Sequence, residues 1–408
     1  MEFVKRPKWK DIELNSNVQR MFSTIKELGK DNFFGSSPPS VFVGSKLQYP
    51  NVNVGILSPP VYSEDSWILD SPNYWANSET TIKDVVSYRN NLINSRFKSS
   101  VKDVRKENKF LEITKEIAMA YKPVDMEIYL KKKPNIVLSK DKINMPMGPT
   151  GLLSGVKLTD NVKVLNSVEK AVDDNDLKAQ DAVIYLYNKN IDENFLTKIL
   201  SIGALGLKKN RKLVSTRWSI TAVDDMIGKK FINEIKDFQT IDKFRLFTGN
   251  FFGNYYFVML FPEVWSYELF EGYLPGAVWN FSGKIEFSTD NEWYDGRKNY
   301  AENTAGGYYA ARLPIAEYLS RIRRQASVLI IRFETPEYTD SLGVWVVRQT
   351  CKKTMLNQNI EFETKEQMLE YAKQAIIKKF NFNIERVYNQ SLLLNKIKTQ
   401  RKIWEFTQ

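Results

Sequence analysis

The chain has 408 residues, enough for two or three domains with a substantial core. Its 59 Lys and Arg against 48 Asp and Glu give a formal charge of +11, which allows a polyanionic partner wherever that charge gathers on one face. With no histidine and one cysteine, Cys351, the composition excludes a His/Cys zinc site, an intrachain disulfide, and Ser-His or Cys-His dyads; a reducing, cytoplasmic setting is expected.

The hydrophobic fraction of 43% and aromatic fraction of 13% predict an ordered globular chain. Its start, MEFVKRPKWKDIELN, lacks the apolar run of a signal peptide. The richest apolar stretch, NFFGNYYFVMLFPEVW, is broken by Gly253, Asn254 and Pro262, so no membrane span is expected.

In chain order, VQRMFSTIKELGK places Val18, Met21, Phe22, Ile25 and Leu28 on one helical face. From SSPPSVFVGSKLQYPNVNVGILSPP the texture changes to short β-branched runs punctuated by Pro, Gly and Asn, which reads as strands joined by tight turns. Helices are predicted in TTIKDVVSYRNNLINSRF and VRKENKFLEITKEIAMAY, and an alternating strand in KPVDMEIYLKKKP, ended by Pro134. The run KKK reads as a solvated turn, and PMGPTGLLSGVKL as a Gly/Pro loop. That loop has no Gly-Lys-Ser/Thr, so it is not a phosphate loop.

Two further helices are predicted in DLKAQDAVIYLYNKN and NFLTKILSIGALGLKKNRK, followed by strand character from Lys243 to about Phe287. A helix from Leu313 to Ala326, the strand VLIIRFE, a strand in GVWVVR, and helices at TKEQMLEYAKQAIIKKF and near IERVYNQSLLLNKI complete the pass. Strands and helices without strict alternation predict an α+β fold, with mixed sheets and helices in two tightly associated regions and a flexible C-terminal tail.

Three stretches gather the residue types that chemistry uses. In RKLVSTRWSITAVDD, Arg211, Lys212 and Arg217 are candidates for phosphate contact, Trp218 offers a stacking face, and the adjacent Asp224 and Asp225 are candidate carboxylates. The same letters also read as a strand entering a helix capped by Thr221 or Asp224.

In WYDGRKNYAENTAGGYYAARLPIAEYLSRIRRQA, Asp295-Gly296 marks a turn, and Gly306-Gly307 ahead of a helix is a candidate anion site. Tyr308, Arg297, Arg312, Arg323 and Arg324 are further candidate nucleic-acid or nucleotide contacts, with Asp295, Glu302 and Glu334 candidate carboxylates. A tight connection with tyrosines in the core and arginines in salt bridges is the alternative. Glu334 heads the third stretch, RFETPEYTDSLGVWVVRQT, whose acids pair with the arginine-rich helix on the plainest reading.

SPPSVFVGSKLQYPNVNVG, RKLVSTRWSITAVDD, DGRKNYAENTAGGYYAAR with RRQA, and PEYTDSLGVWVVR, in that order, resemble the archaeal Nre family of DNA-repair proteins. The resemblance implies an N-terminal Nre region over 1–287, a C-terminal region over 288–395, and a tail over 396–408. It also implies a link to survival of DNA damage. Members of the NreA type end in a motif that binds the sliding clamp PCNA: Gln, two residues, an aliphatic, two residues, two aromatics. Here that pattern falls on Gln400, Ile403 and Phe406, with Thr407 in the last aromatic place and Trp404 adding apolar surface.

Such a segment can wind into one tight turn, with Ile403 and Phe406 plugging a groove; burying the two offers roughly 3–6 kcal/mol before ordering costs, hence micromolar affinity. The N-terminal cysteine cluster of many family members is missing, so no metal is expected. The leading expectation is a DNA-repair protein recruited by PCNA whose body contacts DNA or a nucleotide. The alternative is an enzyme acting on a nucleotide, nucleic acid or NAD-like dinucleotide through an Arg/Gly anion site and a carboxylate. A basic structural or RNA-associated protein with its tail packed into its own fold is a third.

Overall fold

A computed structural model describes residues 31–45, 49–134, 146–280 and 282–399. The helix predicted around Val18–Leu28 and the tail residues Gln400, Ile403, Trp404 and Phe406 lie outside these residues. The chain divides into two compact units, one formed from 1–141, 145–177 and 198–216, the other from 142–144, 178–197 and 217–408.

The first unit contains β1 (Asn32–Ser37), β2 (Ser40–Val43), β3 (Asn51–Ser58), α1 (Pro72–Asn77), α2 (Ile82–Asn90), β4 (Ile93–Ser100), α3 (Lys109–Met119), β5 (Val124–Leu130), β6 (Thr150–Leu158) and α4 (Asn166–Asp173). Its six strands form one sheet in the order β1-β5-β6-β4-β3-β2, in which only β4 and β6 run parallel. Alternation puts Phe33, Val41, Val43, Val54, Ile56, Phe97, Ile128 and Val156 on one buried face. Helix α3 packs on β2 and β6, burying Leu111, Thr114, Ile117 and Ala118 at helical spacing. It begins where the Asn108 side chain accepts from the amides of Phe110 and Leu111.

The remaining elements are α5 (Ala179–Tyr187), α6 (Glu193–Ser201), α7 (Thr216–Ile235), β7 (Phe244–Phe251), β8 (Asn254–Phe261), β9 (Ser266–Tyr273), β10 (Glu286–Glu292), α8 (Ala305–Ile322), β11 (Ser327–Glu334), α9 (Trp345–Leu356), β12 (Ile360–Phe362), α10 (Lys365–Phe380), α11 (Glu385–Gln390) and α12 (Leu392–Thr399). The second unit's sheet has the order β10-β9-β11-β8-β7-β12, with β9 and β11 parallel and the other neighbours antiparallel.

This sheet is the middle of three layers. Phe257, Met259, Phe261, Phe270, Leu329, Ile331 and Phe333 meet Met368, Ala372 and Ile376 of α10 and Leu393 and Leu394 of α12 on one side. On the other side α9 packs along β7, β8 and α8, and Tyr267 donates to the Tyr308 carbonyl of α8 at 3.2 Å. A fully buried Phe or Leu stabilises by about 1.5–3 kcal/mol, so this doubly covered sheet carries most of the unit's stability.

The α+β class stands, with local differences. The helix predicted over TTIKDVVSYRNNLINSRF stops at Asn90, and INSRFKSS is strand β4. PMGPTGLLSGVKL supplies β6 instead of a loop, because β5 and β4 flank it and satisfy its backbone. GVWVVR leads into helix α9, whose Val346, Val347, Thr350, Cys351, Thr354 and Met355 are buried; packing between α8 and the sheet overrides β-branched propensity. Helix α8 starts eight residues earlier than the expected Leu313, at Ala305. Among the described residues no helix is long and apolar enough to cross a membrane.

Candidate functional site

Charged residues sit at alternate positions of three strands of the second unit, on the side covered by α7, α8 and α9. Because strand side chains alternate, Asp290 and Glu292 of β10, Glu271 of β9, and Arg332 and Glu334 of β11 all leave the apolar layer and face those helices. All five are buried. A buried charge must be paired, and each of these is.

At the start of α8, Asp290 accepts from the Thr304 amide at 2.8 Å and its hydroxyl at 2.9 Å, and pairs with Arg297 at 3.0 Å. The rest of the Arg297 guanidinium donates to the carbonyls of Asn291, Asn299 and Tyr300. Gly307 is required here: a Cβ on it would lie 2.5 Å from Glu271 Oε1. Protein carboxylates therefore occupy the helix N-terminus that the Gly306-Gly307 pair offers to an anion.

One turn on, Arg312 donates to Glu292 at 2.7 Å and to Asp225 of α7 at 2.6 Å. Burial works against its charge, but Glu292 and Asp225 hold the guanidinium ionised. Its carbon lies 5.6 Å from the Tyr308 ring centre and 5.3 Å from that of Tyr309, while Arg297 sits 5.3 Å from Tyr308. Tyr309 stacks on Tyr300 at 5.5 Å, and Tyr300 meets the edge of Trp218 at 5.4 Å.

Beside this group, Arg332 donates to Glu271 at 2.6 Å, to Glu334 at 3.0 Å and to Asn254 at 2.9 Å. Tyr273 donates to the second oxygen of Glu271 at 3.0 Å. Burial pushes the Glu334 carboxyl up to about 7, against the pull of Arg332. Further along α7, Asp224 receives two bonds from Arg348 of α9, at 2.8 and 3.0 Å, and Lys352 pairs with Glu193. Burial pushes the Asp224 carboxyl up, and the Arg348 guanidinium opposes it.

Of the residues singled out from sequence, Arg297, Arg312, Gly307, Tyr308, Asp225 and Trp218 thus come together along the N-terminal halves of α7 and α8. Gly306 adjoins them, with Val344 close to where its Cβ would stand. Arg217 and Trp218 are exposed at the start of α7, and the Arg217 charge reaches Tyr300. Asp224 and Asp225 lie inside the helix as partners of two different arginines, so they do not cap it and do not converge on one point.

Asp295 and Glu302 are exposed, as are Arg323, at the left-handed C-cap of α8, and Arg324. Arg211 belongs to the first unit, where it donates to the carbonyls of Gly206, Val172 and Asp174; Lys212 beside it is exposed. Among the described residues no group of three or more acidic or cysteine side chains could hold a metal ion.

Sequence reasoning missed Glu271, Asp290, Glu292, Arg332, Arg348 and Glu193. The signal was present as charges at inward positions of apolar strands, YELFEGY and VLIIRFE, which cost too much to bury unless they pair. In the assembled layer each buried arginine is held by one or two carboxylates. Arg217 and Trp218 at the start of α7, and Arg323 and Arg324 at the opposite, C-terminal end of α8, remain exposed.

Comparison with known proteins gives consistent matches. A family model described as archaeal Nre, N-terminal, matches residues 10–280, and one described as archaeal Nre, C-terminal, matches 292–406. The chain is 37% identical over 375 residues to a protein named DNA repair protein NreB from Archaeoglobus fulgidus, covering 92% of each. It is 37% identical over 339 residues to DNA repair protein NreA of Haloferax volcanii, covering 82% of this chain and 80% of that one. To DNA repair protein NreA of Archaeoglobus fulgidus it is 38% identical over 358 residues, covering 86% and 88%. No solved structure matches significantly.

Proposed function

The chain belongs to the archaeal Nre family, and from that premise we propose that it is a DNA-repair protein tethered to the sliding clamp PCNA by its C-terminus, with its folded body in contact with DNA. The observation that carries the repair role is identity of 37–38% over most of the chain to relatives named DNA repair proteins.

Clamp recruitment is supported by the spacing of Gln400, Ile403 and Phe406, with Trp404 supplying apolar surface beside Thr407. The pattern gives a groove-binding turn two apolar side chains and a polar anchor. Lys396, Lys398, Arg401 and Lys402 add salt-dependent attraction to an acidic partner. The test is capture on immobilised PCNA of the full chain and of one ending at Lys398. Retention of the full chain alone is expected; equal retention of both refutes clamp binding through this peptide. DNA contact by the body is supported by the charge of +11 and by exposed Lys212, Arg217, Trp218, Arg323 and Arg324.

A second reading, an enzyme acting on a nucleotide or nucleic acid, is favoured by Glu334. Its carboxyl stands at about 7, beside Arg332, at the C-terminal ends of the parallel strands β9 and β11, a common place for chemistry in sheets flanked by helices. Thermal melting of the purified chain with nucleotides, dinucleotides and short DNAs tests it. A nucleotide that raises the melting temperature supports the enzyme, and stabilisation by DNA alone leaves the binding protein.

A further inference from the structure

The sheet of the first unit has one face in the core and another that carries aromatic and basic side chains into solvent. On that outer face Phe34 of β1 is 41% exposed, Tyr129 of β5 40% and Leu152 of β6 49%. Tyr62 is 56% exposed and stacks on Phe34, with ring centres 6.3 Å apart and planes 26° from parallel. Leaving this much ring surface in water is costly for a strand whose other side is fully packed.

The register holds these groups in one plane. Tyr129 lies opposite Asn32 on one side and Gly155 on the other, and Phe34 lies opposite Glu127. A Cβ on Gly155 would come within 3.4–3.7 Å of three Tyr129 carbons, so the ring leans across the glycine along the sheet surface. Tyr129 donates to Glu127 at 2.9 Å, which fixes that tilt.

Positive charge borders the rings. Arg96 is paired in register with Leu152, Lys98 is two residues along the same face of β4, Lys157 is opposite Glu127, and Lys131 follows β5, its amide bonded to the Leu152 carbonyl. None of these four cations is ion-paired with another described residue. Of the acids near the rings, Asp125 is engaged by the Ser36 hydroxyl, Glu127 by Tyr129 and Glu64 by Tyr62, and Asp160 also stands near Tyr62.

We infer that this open sheet face is a platform for single-stranded DNA, on which unpaired bases stack against Tyr129 and the Phe34/Tyr62 pair while Arg96, Lys98, Lys131 and Lys157 neutralise the phosphates. Exposed rings among cations match a strand whose bases are free; in a duplex the base faces are buried in the stack. An acidic protein would be drawn by the charge but has no use for flat rings in a row. A second copy of the chain would bring like charges together.

The inference rests on the proposal that the body contacts DNA, and it names the place and the form of DNA. The test is fluorescence anisotropy of the full chain with a labelled oligothymidylate of about 15 nucleotides and with a duplex of equal length. The single strand is expected to bind more tightly than the duplex. Phe34→Ala/Tyr129→Ala is expected to weaken it about ten-fold or more. Arg96→Glu/Lys98→Glu should weaken it and flatten the dependence on salt. Tyr371→Ala, an exposed ring of the other unit, should leave affinity unchanged.

Thermal melting verifies that the variants are folded, and the charge-reversal pair decides the matter if the aromatic pair is not. Full retention of affinity by folded variants would overturn the platform while leaving DNA contact elsewhere intact. Failure of the parent chain to bind either DNA would remove both. A concentration-dependent dimer abolished by Phe34→Ala/Tyr129→Ala would assign the face to a second copy.

Discussion

Replacing Arg348 with Met isolates what the buried charges do. In the folded unit Arg348 is 1% exposed and Asp224 is fully buried, and the guanidinium contacts both carboxylate oxygens, at 2.8 and 3.0 Å. Met fills much of the volume but donates nothing, leaving Asp224 fully buried with both oxygens stripped of those donors. Removing one member of such a pair costs about 3–5 kcal/mol, a large share of the roughly 5–15 kcal/mol that stabilises a typical domain.

For a unit of this size the loss lowers the unfolding midpoint by roughly 6–20 °C, measured by circular dichroism or urea titration. The stranded Asp224 carboxyl is pushed up further, so the folded state binds the extra proton. The deficit is therefore larger at pH 8 than at pH 5. The double substitution Asp224→Leu/Arg348→Met, which removes both charges, recovers most of the loss. A single variant within about 1 kcal/mol of the parent, or a double variant no better than the single, would refute the assignment of Asp224 as a structural partner.

Glu334→Gln tests the neighbouring group. With the folded carboxyl at about 7, above its unfolded range, the parent loses stability as pH rises from about 4.5 to 7, by about 3 kcal/mol. The Gln variant should lose less over the same interval in urea melts, and parallel pH profiles would count against a raised Glu334. Gly307→Ala forces a methyl to within 2.5 Å of Glu271 Oε1 and should cost about 1–3 kcal/mol in a thermal melt; an unchanged midpoint would mean that α8 is not held on Glu271. Cys351 is buried with its thiol pushed up by burial, so it should be inert to a thiol reagent in native buffer and react fully in denaturant. Stoichiometric native labelling would contradict the packing of α9.

Much of the second unit could be read from local pattern. RLFTGNFFGNYYFVMLFP yields the β7–β8 hairpin because Phe252-Gly253 forms its two-residue turn, with φ of 48 and 70, between long β-aromatic runs. TKEQMLEYAKQAIIKKF yields α10 because Thr364 and Gln367 form a capping box ahead of an amphipathic run. GVWVVR did not yield its structure, since a β-branched run fits a strand or a buried helix equally well until its neighbours are known. The partners of the buried arginines are not legible in the sequence: Arg312 bonds Asp225 from 87 residues away and Arg348 bonds Asp224 from 124.

Comparison with relatives gave the family, and by itself the sequence determined the class of elements and the absence of histidine chemistry. These follow from composition and short-range spacing, which survive without knowledge of the fold. Only the tertiary structure decided that Gly307 meets a protein carboxylate, that Arg312 of α8 and Arg348 of α9 are spent on internal pairs, and that Phe34 and Tyr129 stand in the open. Alternation in VDMEIYL marks two faces of a strand, and whether the second face meets helix or water depends on what the rest of the chain covers.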